Sequence, residues 1–127
     1  MSTATPAISE RAAITRTIQR YVEGGRTGQT DEMKRAFHPG ATIFGHIGSE
    51  LFGGPIQLLF DWNEQNGAAT KLEAQIISID VMESIATVRL ELDNWSGHRF
   101  TDMFTLLQID GEWKIMSKVF YSHPDAN

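Results

Sequence analysis

Apolar residues recur at helical spacing in the first half of the chain and at every second position from Lys71 onward. The alternation is strongest from Arg99 to Tyr121, RFTDMFTLLQIDGEWKIMSKVFY, which predicts two long strands joined at Asp110-Gly111. Asp-Gly between two alternating runs is the strongest short-range hairpin signal. A two-residue turn there sets Ile109 opposite Glu112, Leu106 opposite Ile115, Phe104 opposite Ser117, Asp102 opposite Val119 and Phe100 opposite Tyr121. Because side chains alternate along a strand, one face then carries Phe100, Asp102, Phe104, Leu106, Trp113, Ile115, Val119 and Tyr121. The other carries Met103, Leu107, Ile109, Met116 and Phe120 among Thr101, Thr105 and Lys118. Both faces need a cover, and Asp102 is a lone carboxylate in an apolar field.

Upstream, Ser9 suits a helix N-cap, and Ile14, Ile18, Tyr21 and Val22 define one buried stripe that Gly24-Gly25 ends. Thr30 opens a second helix with Met33, Ala36 and Phe37 inward, and His38-Pro39-Gly40 stops it. Ala41 to Ile47 reads as a short strand. Gly53-Gly54-Pro55 opens a third helix with Pro55 at its first position, and Asn66-Gly67 closes it. Leu72 to Met82 and Ile85 to Trp95 read as strands about Glu83-Ser84, with Ile77, Ile79 and Val81 sharing a face with Leu90, Val88 and Ala86. A slip at Trp95 to His98 would exchange the faces of Val88, Leu90 and Leu92 relative to Asp102, so that register stays open.

The fold class expected is α+β, with three N-terminal helices packed on a curved antiparallel sheet. No linker or repeat divides residues 1–127, so a single domain is expected, with Met1 to Ala7 frayed. The helices have room for one side of the sheet. The remaining apolar face, with Met103, Leu107, Met116 and Phe120, points to a homodimer through the sheet.

Composition narrows the function. A net charge of −5 with no Lys/Arg stripe argues against nucleic acid and anionic membrane as partners. Cysteine is absent, which removes thiolate catalysis and zinc-thiolate sites and fits a cytoplasmic protein. The start of the chain lacks an apolar signal region, and no apolar run approaches membrane-spanning length. The histidines His38, His46, His98 and His123 form no paired metal motif, so no metal is expected. No phosphate-loop or dinucleotide glycine pattern is present, so no cofactor is expected either.

Arg35-Ala36-Phe37-His38-Pro39-Gly40-Ala41, Ser78-Ile79-Asp80-Val81, and Phe100-Thr101-Asp102 through Gly111-Glu112-Trp113-Lys114-Ile115, in a helix-helix-strand-helix-meander order, resemble the nuclear transport factor 2-like superfamily. Within it the chain is most similar to the uncharacterised group labelled putative lumazine-binding. The resemblance runs from about Ile8 to His123 and implies a cone-shaped, cystatin-like α+β domain with a pocket between sheet and helices. Gln19-Arg20-Tyr21-Val22 and Asp102 also match where ketosteroid isomerases of this superfamily carry two oxyanion-hole donors, a Tyr and a protonated Asp. Gly45 stands in the place of their carboxylate base, a departure from the isomerase pattern.

Asp102, flanked by Phe100 and Phe104, is expected to be desolvated, which raises a carboxyl pKa and suits it to donate a hydrogen bond or move a proton. A buried Asp held by Arg99, Arg89, a Tyr hydroxyl or a backbone amide is the structural alternative. Tyr21 is the candidate second polar anchor, with Tyr121 its rival, and His46 is a candidate general base. Trp62, Trp95, Phe100, Phe104 and Tyr121 are the candidate ligand-binding lining. The reading is a small-molecule-binding domain for a flat, conjugated or carbonyl-bearing ligand. The alternatives are an isomerase, dehydratase or cyclase-like enzyme using Asp102 or His46, and a non-catalytic protein-interaction module.

Overall fold

Ile14, Ile18, Tyr21 and Val22 lie along the buried side of a 21-residue helix, α1 (Ala7–Thr27). The computed structural model describes residues 7–124. The fraying expected for Met1 to Ala7 falls outside the described residues except at Ala7, which opens α1. α1 runs through Gly24-Gly25 instead of ending there and stops at Gly28, whose φ is +76°. The glycines serve packing. A Cβ on Gly24 would sit 2.5 Å from that of Met33, and one on Gly25 would sit 2.7 Å from the Trp95 ring.

The second helix, α2 (Thr30–Lys34), is one short turn capped by Gln29. Phe37, expected at its end, instead begins strand β1 (Phe37–Ile47), which absorbs His38-Pro39-Gly40. Parallel pairing with the last strand takes over at this point, where the Ile115 N–H donates to the Ala36 carbonyl at 2.9 Å. Gly53-Gly54-Pro55 does not open a helix. It belongs to an edge strand, β2 (Glu50–Pro55), antiparallel to β1. An edge tolerates both glycine and proline, and Gly53 lies under the Phe44 ring, where a side chain would collide. The third helix, α3 (Gln57–Asn66), follows, with Gly67 at its C-cap.

Four antiparallel strands complete the chain: β3 (Glu73–Met82), β4 (Ile85–Trp95), β5 (His98–Ile109) and β6 (Glu112–Ser122). The architecture is α+β with a curved, mainly antiparallel sheet in the order β2-β1-β6-β5-β4-β3. Two details differ from expectation. Only two helices precede the sheet, since α3 is inserted after β2, and β1 pairs with β6 in parallel. The β4–β5 register is settled with Leu90 opposite Asp102, so Val88, Leu90 and Leu92 share its buried face. On β3 a bulge at Ile77 sends that residue outward and leaves Ile76, Ile79 and Val81 against the core.

A second bulge decides the site. The turn at Asp110-Gly111, both at positive φ, sets Leu106 opposite Ile115 as expected. Met116 is then an extra residue, and Thr105 pairs with Ser117, so every later position on β6 changes face. Asp102 lies opposite Phe120, not Val119, and Phe100 opposite Ser122, not Tyr121. Lys118 and Phe120 are therefore buried, while Val119 and Tyr121 are exposed on the outer face.

Replacing Gly24 by alanine tests the close approach of α1 and α2. Alanine favours a helix over glycine by about 1 kcal/mol. The collision with Met33 should outweigh that gain, and Gly24→Ala is expected to lower stability in urea denaturation by about 1–3 kcal/mol.

Candidate functional site

The inner face of the sheet and α1 enclose a cluster of three polar side chains among apolar neighbours. Tyr21 and Asp102 are fully buried, and Lys118 retains 5 % of its surface. Helical spacing from Ile14 and Ile18 turns Tyr21 toward the sheet, and the alternation of β5 turns Asp102 to meet it. The Tyr21 hydroxyl donates to Asp102 Oδ2 at 2.7 Å. Lys118 Nζ stands 3.4 Å from Asp102 Oδ1. That spacing is longer than an aligned charge-assisted bond, and Oδ1 makes no hydrogen bond within the protein. The ammonium is also held 4.7 Å from the centre of the Phe120 ring and 5.7 Å from that of Tyr21, a cation–π arrangement. The anchors proposed for Asp102 from sequence, Arg89 and Arg99, instead pair with Glu91.

Burial sets the titration of all three groups. It pushes the Asp102 carboxyl up, with the Lys118 ammonium and the Tyr21 hydrogen bond opposing it. It pushes the Lys118 ammonium down against the attraction of Asp102. The Tyr21 phenol rises well above its usual value through burial and then the Asp102 charge. The phenol therefore stays protonated as the donor of the cluster.

A cavity of about 180 Å³ opens beside this cluster. Tyr21 and Lys118 form its polar end, and Trp62, Trp95, Phe100 and Phe120 wall it with rings, helped by Phe52 from β2. Most of these rings meet edge to face, Trp62 with Trp95 at 5.7 Å and Phe100 with Phe120 at 6.0 Å. His98 and Ser122 add polar groups to the lining, and Ile43, Ile47 and Leu59 complete it. The indole N–H of Trp95 is buried without a partner. Asp102 does not line the cavity but sits behind Tyr21 and Lys118, holding both.

Of the residues singled out in the sequence, Tyr21, Trp62, Trp95 and Phe100 are brought to the cavity, with Asp102 next to it. Phe104 is buried against the Tyr21 ring at 5.5 Å and does not line the space. Tyr121 lies on the outer face against His123, because the Met116 bulge turns it away. His46 is exposed, paired with Leu51 and Tyr121 across neighbouring strands, and does not reach the cavity. Its neighbour Gly45 faces inward, and the Phe120 ring fills the volume its side chain would take. Lys118 is the polar cavity residue that sequence reasoning missed. Its only signal was that Thr105 and Ser117, which bond at 2.6 Å, make a better outer pair than Phe104 and Ser117. Among the described residues no three His, Asp or Glu side chains gather as metal ligands. No helix in them is long and apolar enough to cross a membrane.

A curved sheet closed by helices over a small aromatic cavity defines a protein of the NTF2-like, cystatin-like class. The chain belongs to the family described as putative lumazine-binding, whose profile matches residues 9–121. It is 35% identical over 117 residues to the aldolase FrzH of Cladobotryum sp., covering 91% of this chain and 94% of that one. An NTF2-like protein of unknown function from Shewanella baltica superposes with a TM-score of 0.91 at 38% identity, covering 95% and 99% of the two chains. The fold extends to a putative scytalone dehydratase from Novosphingobium aromaticivorans, with a TM-score of 0.70, 17% identity, and 94% and 89% covered.

The buried pair gives stability a defined pH dependence. A raised Asp102 pKa means that the folded state holds this proton more tightly, so its contribution falls as pH rises from the ordinary value of 3.8. A lowered Lys118 pKa means the unfolded state binds that proton more tightly, so its contribution recovers as pH rises toward 10.5. Relative to an Asp102→Asn/Lys118→Met double variant, the wild-type protein should be least stable between these limits. Urea midpoints across the pH range check this, and a constant difference would contradict the shifts.

Proposed function

We propose that this protein is an enzyme that binds a small carbonyl compound in the aromatic cavity and makes or breaks a bond beside the carbonyl. The observation that carries the reading is Lys118, an ammonium at the end of an apolar cavity, backed by Asp102 and Tyr21. Apolar walls with a few convergent polar groups are how small-molecule sites are built. Ring walls favour a flat substrate. Lys118, Ser122 and His98 are lining side chains that carry N–H or O–H groups for its oxygen, whereas Asp102 is screened from the cavity. Lumazine, the ligand named by the family's description, is a flat ring dione, and the relative FrzH is described as an aldolase. Both descriptions support a carbonyl ligand. Acid–base work at such a centre contributes about 10²–10⁴-fold to a rate.

Trp62 and Trp95 line the cavity, so quenching of tryptophan emission reports binding. Titration with cyclohexanone, acetophenone and lumazine should quench the wild-type protein. Exchange of the ketones' α-hydrogens in D2O, followed by NMR, should be accelerated, and Lys118→Met should lower that acceleration about 10²-fold or more. Binding without exchange would leave a binding domain and overturn the catalytic reading. Absence of binding to all three would overturn the pocket assignment in favour of a protein-interaction module.

The outer face of the sheet supports a homodimer. Ile77, Met103, Val119 and Tyr121 are 46%, 55%, 53% and 55% exposed there, with Val119 and Tyr121 replacing the Phe120 expected from sequence. Light scattering should report twice the monomer mass, and Met103→Lys with Val119→Lys should return the protein to a monomer while leaving the cavity intact.

A further inference from the structure

We infer that Lys118 is a covalent catalyst whose Nζ condenses with the substrate carbonyl to form a protonated imine. The inference rests on the carbonyl-substrate reading above and goes beyond it by assigning the bond. Three features converge on this side chain. Its amine is the one lysine amine at the cavity, the other lysines of the chain, Lys34, Lys71 and Lys114, lying outside the lining. Asp102 Oδ1 stands 3.4 Å from Nζ with no hydrogen bond of its own, so a carboxylate oxygen is free to take an ammonium proton. The rings of Phe120 and Tyr21 beside Nζ accommodate a cation whether it is an ammonium or an iminium.

The step balances within the site. Lys118 gives one proton to Asp102, and the freed lone pair bonds to the carbonyl carbon as the carbonyl π pair moves to oxygen. The oxygen leaves as water with two of the three ammonium hydrogens, and the iminium keeps the third. Asp102 holds one of these protons only in transit and is a carboxylate again at the end. One positive charge faces one carboxylate before and after, so the buried pair is conserved, the charge staying at Nζ and shared with the former carbonyl carbon. An iminium draws electrons from the adjacent carbon, which is what bond cleavage or formation beside a carbonyl requires. Burial also lowers the proton affinity of this amine, which favours the neutral nucleophile.

The trapping experiment uses the intact protein with cyclohexanone and sodium cyanoborohydride near neutral pH, followed by peptide mass mapping. The expected result is one adduct at Lys118, heavier by one ketone less one water plus two hydrogens. It should form at least tenfold faster than any adduct at Lys34, Lys71 or Lys114, and lumazine bound in the cavity should suppress it. Lys118→Arg keeps the charge opposite Asp102 and should lose the adduct. Quenching and α-hydrogen exchange without a Lys118 adduct would overturn the imine and leave the proposed function standing. Absence of quenching as well would remove both.

Discussion

Burying Asp102 sets the terms for the rest of this structure. A carboxylate removed from water costs several kcal/mol unless its partners are well placed. Here the partners come from different parts of the chain: Tyr21 from α1 and Lys118 from β6. Their meeting fixes how the helix lies on the sheet, and Thr17 reinforces it by donating to the Trp113 carbonyl at 3.0 Å. Well-packed apolar residues in place of a buried ion pair often give a comparable or more stable core. The polar cluster is therefore better understood through the cavity it faces than through stability.

The Met116 bulge makes that cluster possible. Without it, Val119 and Tyr121 would face the core, and Lys118 would stand on the outer face with Phe120. One inserted residue thus exchanges a valine and a tyrosine for a lysine and a phenylalanine at the cavity, and the Tyr121 hydroxyl leaves the interior. The empty position at Gly45 is matched to this change, since the Phe120 ring occupies it.

Much of this was legible in the chain, for physical reasons. The helix stripe from Ile14 to Val22 and the turn at Asp110-Gly111 are local signals, and both appear as read. Asp102 stood out because charge in an apolar alternation is rare, and it is fully buried. The bulge was illegible because Ile115 to Tyr121 is apolar in either frame, so no hydrophobic pattern marks the extra residue. β2 was missed because a short, glycine-rich edge strand has almost no pattern of its own, and Gly24-Gly25 looked like a stop because its packing partners are distant in sequence.

The parallel pairing of β1 with β6 has a consequence for how the molecule comes into being. The last strand in sequence lies in the middle of the sheet, between β1 and β5. Half of the pairing that positions β1 is therefore absent until β6 has left the ribosome. The same strand brings Lys118 and Phe120, so until then the cavity lacks a wall and Asp102 lacks its counter-charge. The nascent chain must hold α1 and the β3–β5 meander with one open edge on each of two unfinished sheets. Such non-local closure is slow, and completion of the site coincides with closure of the six-stranded sheet.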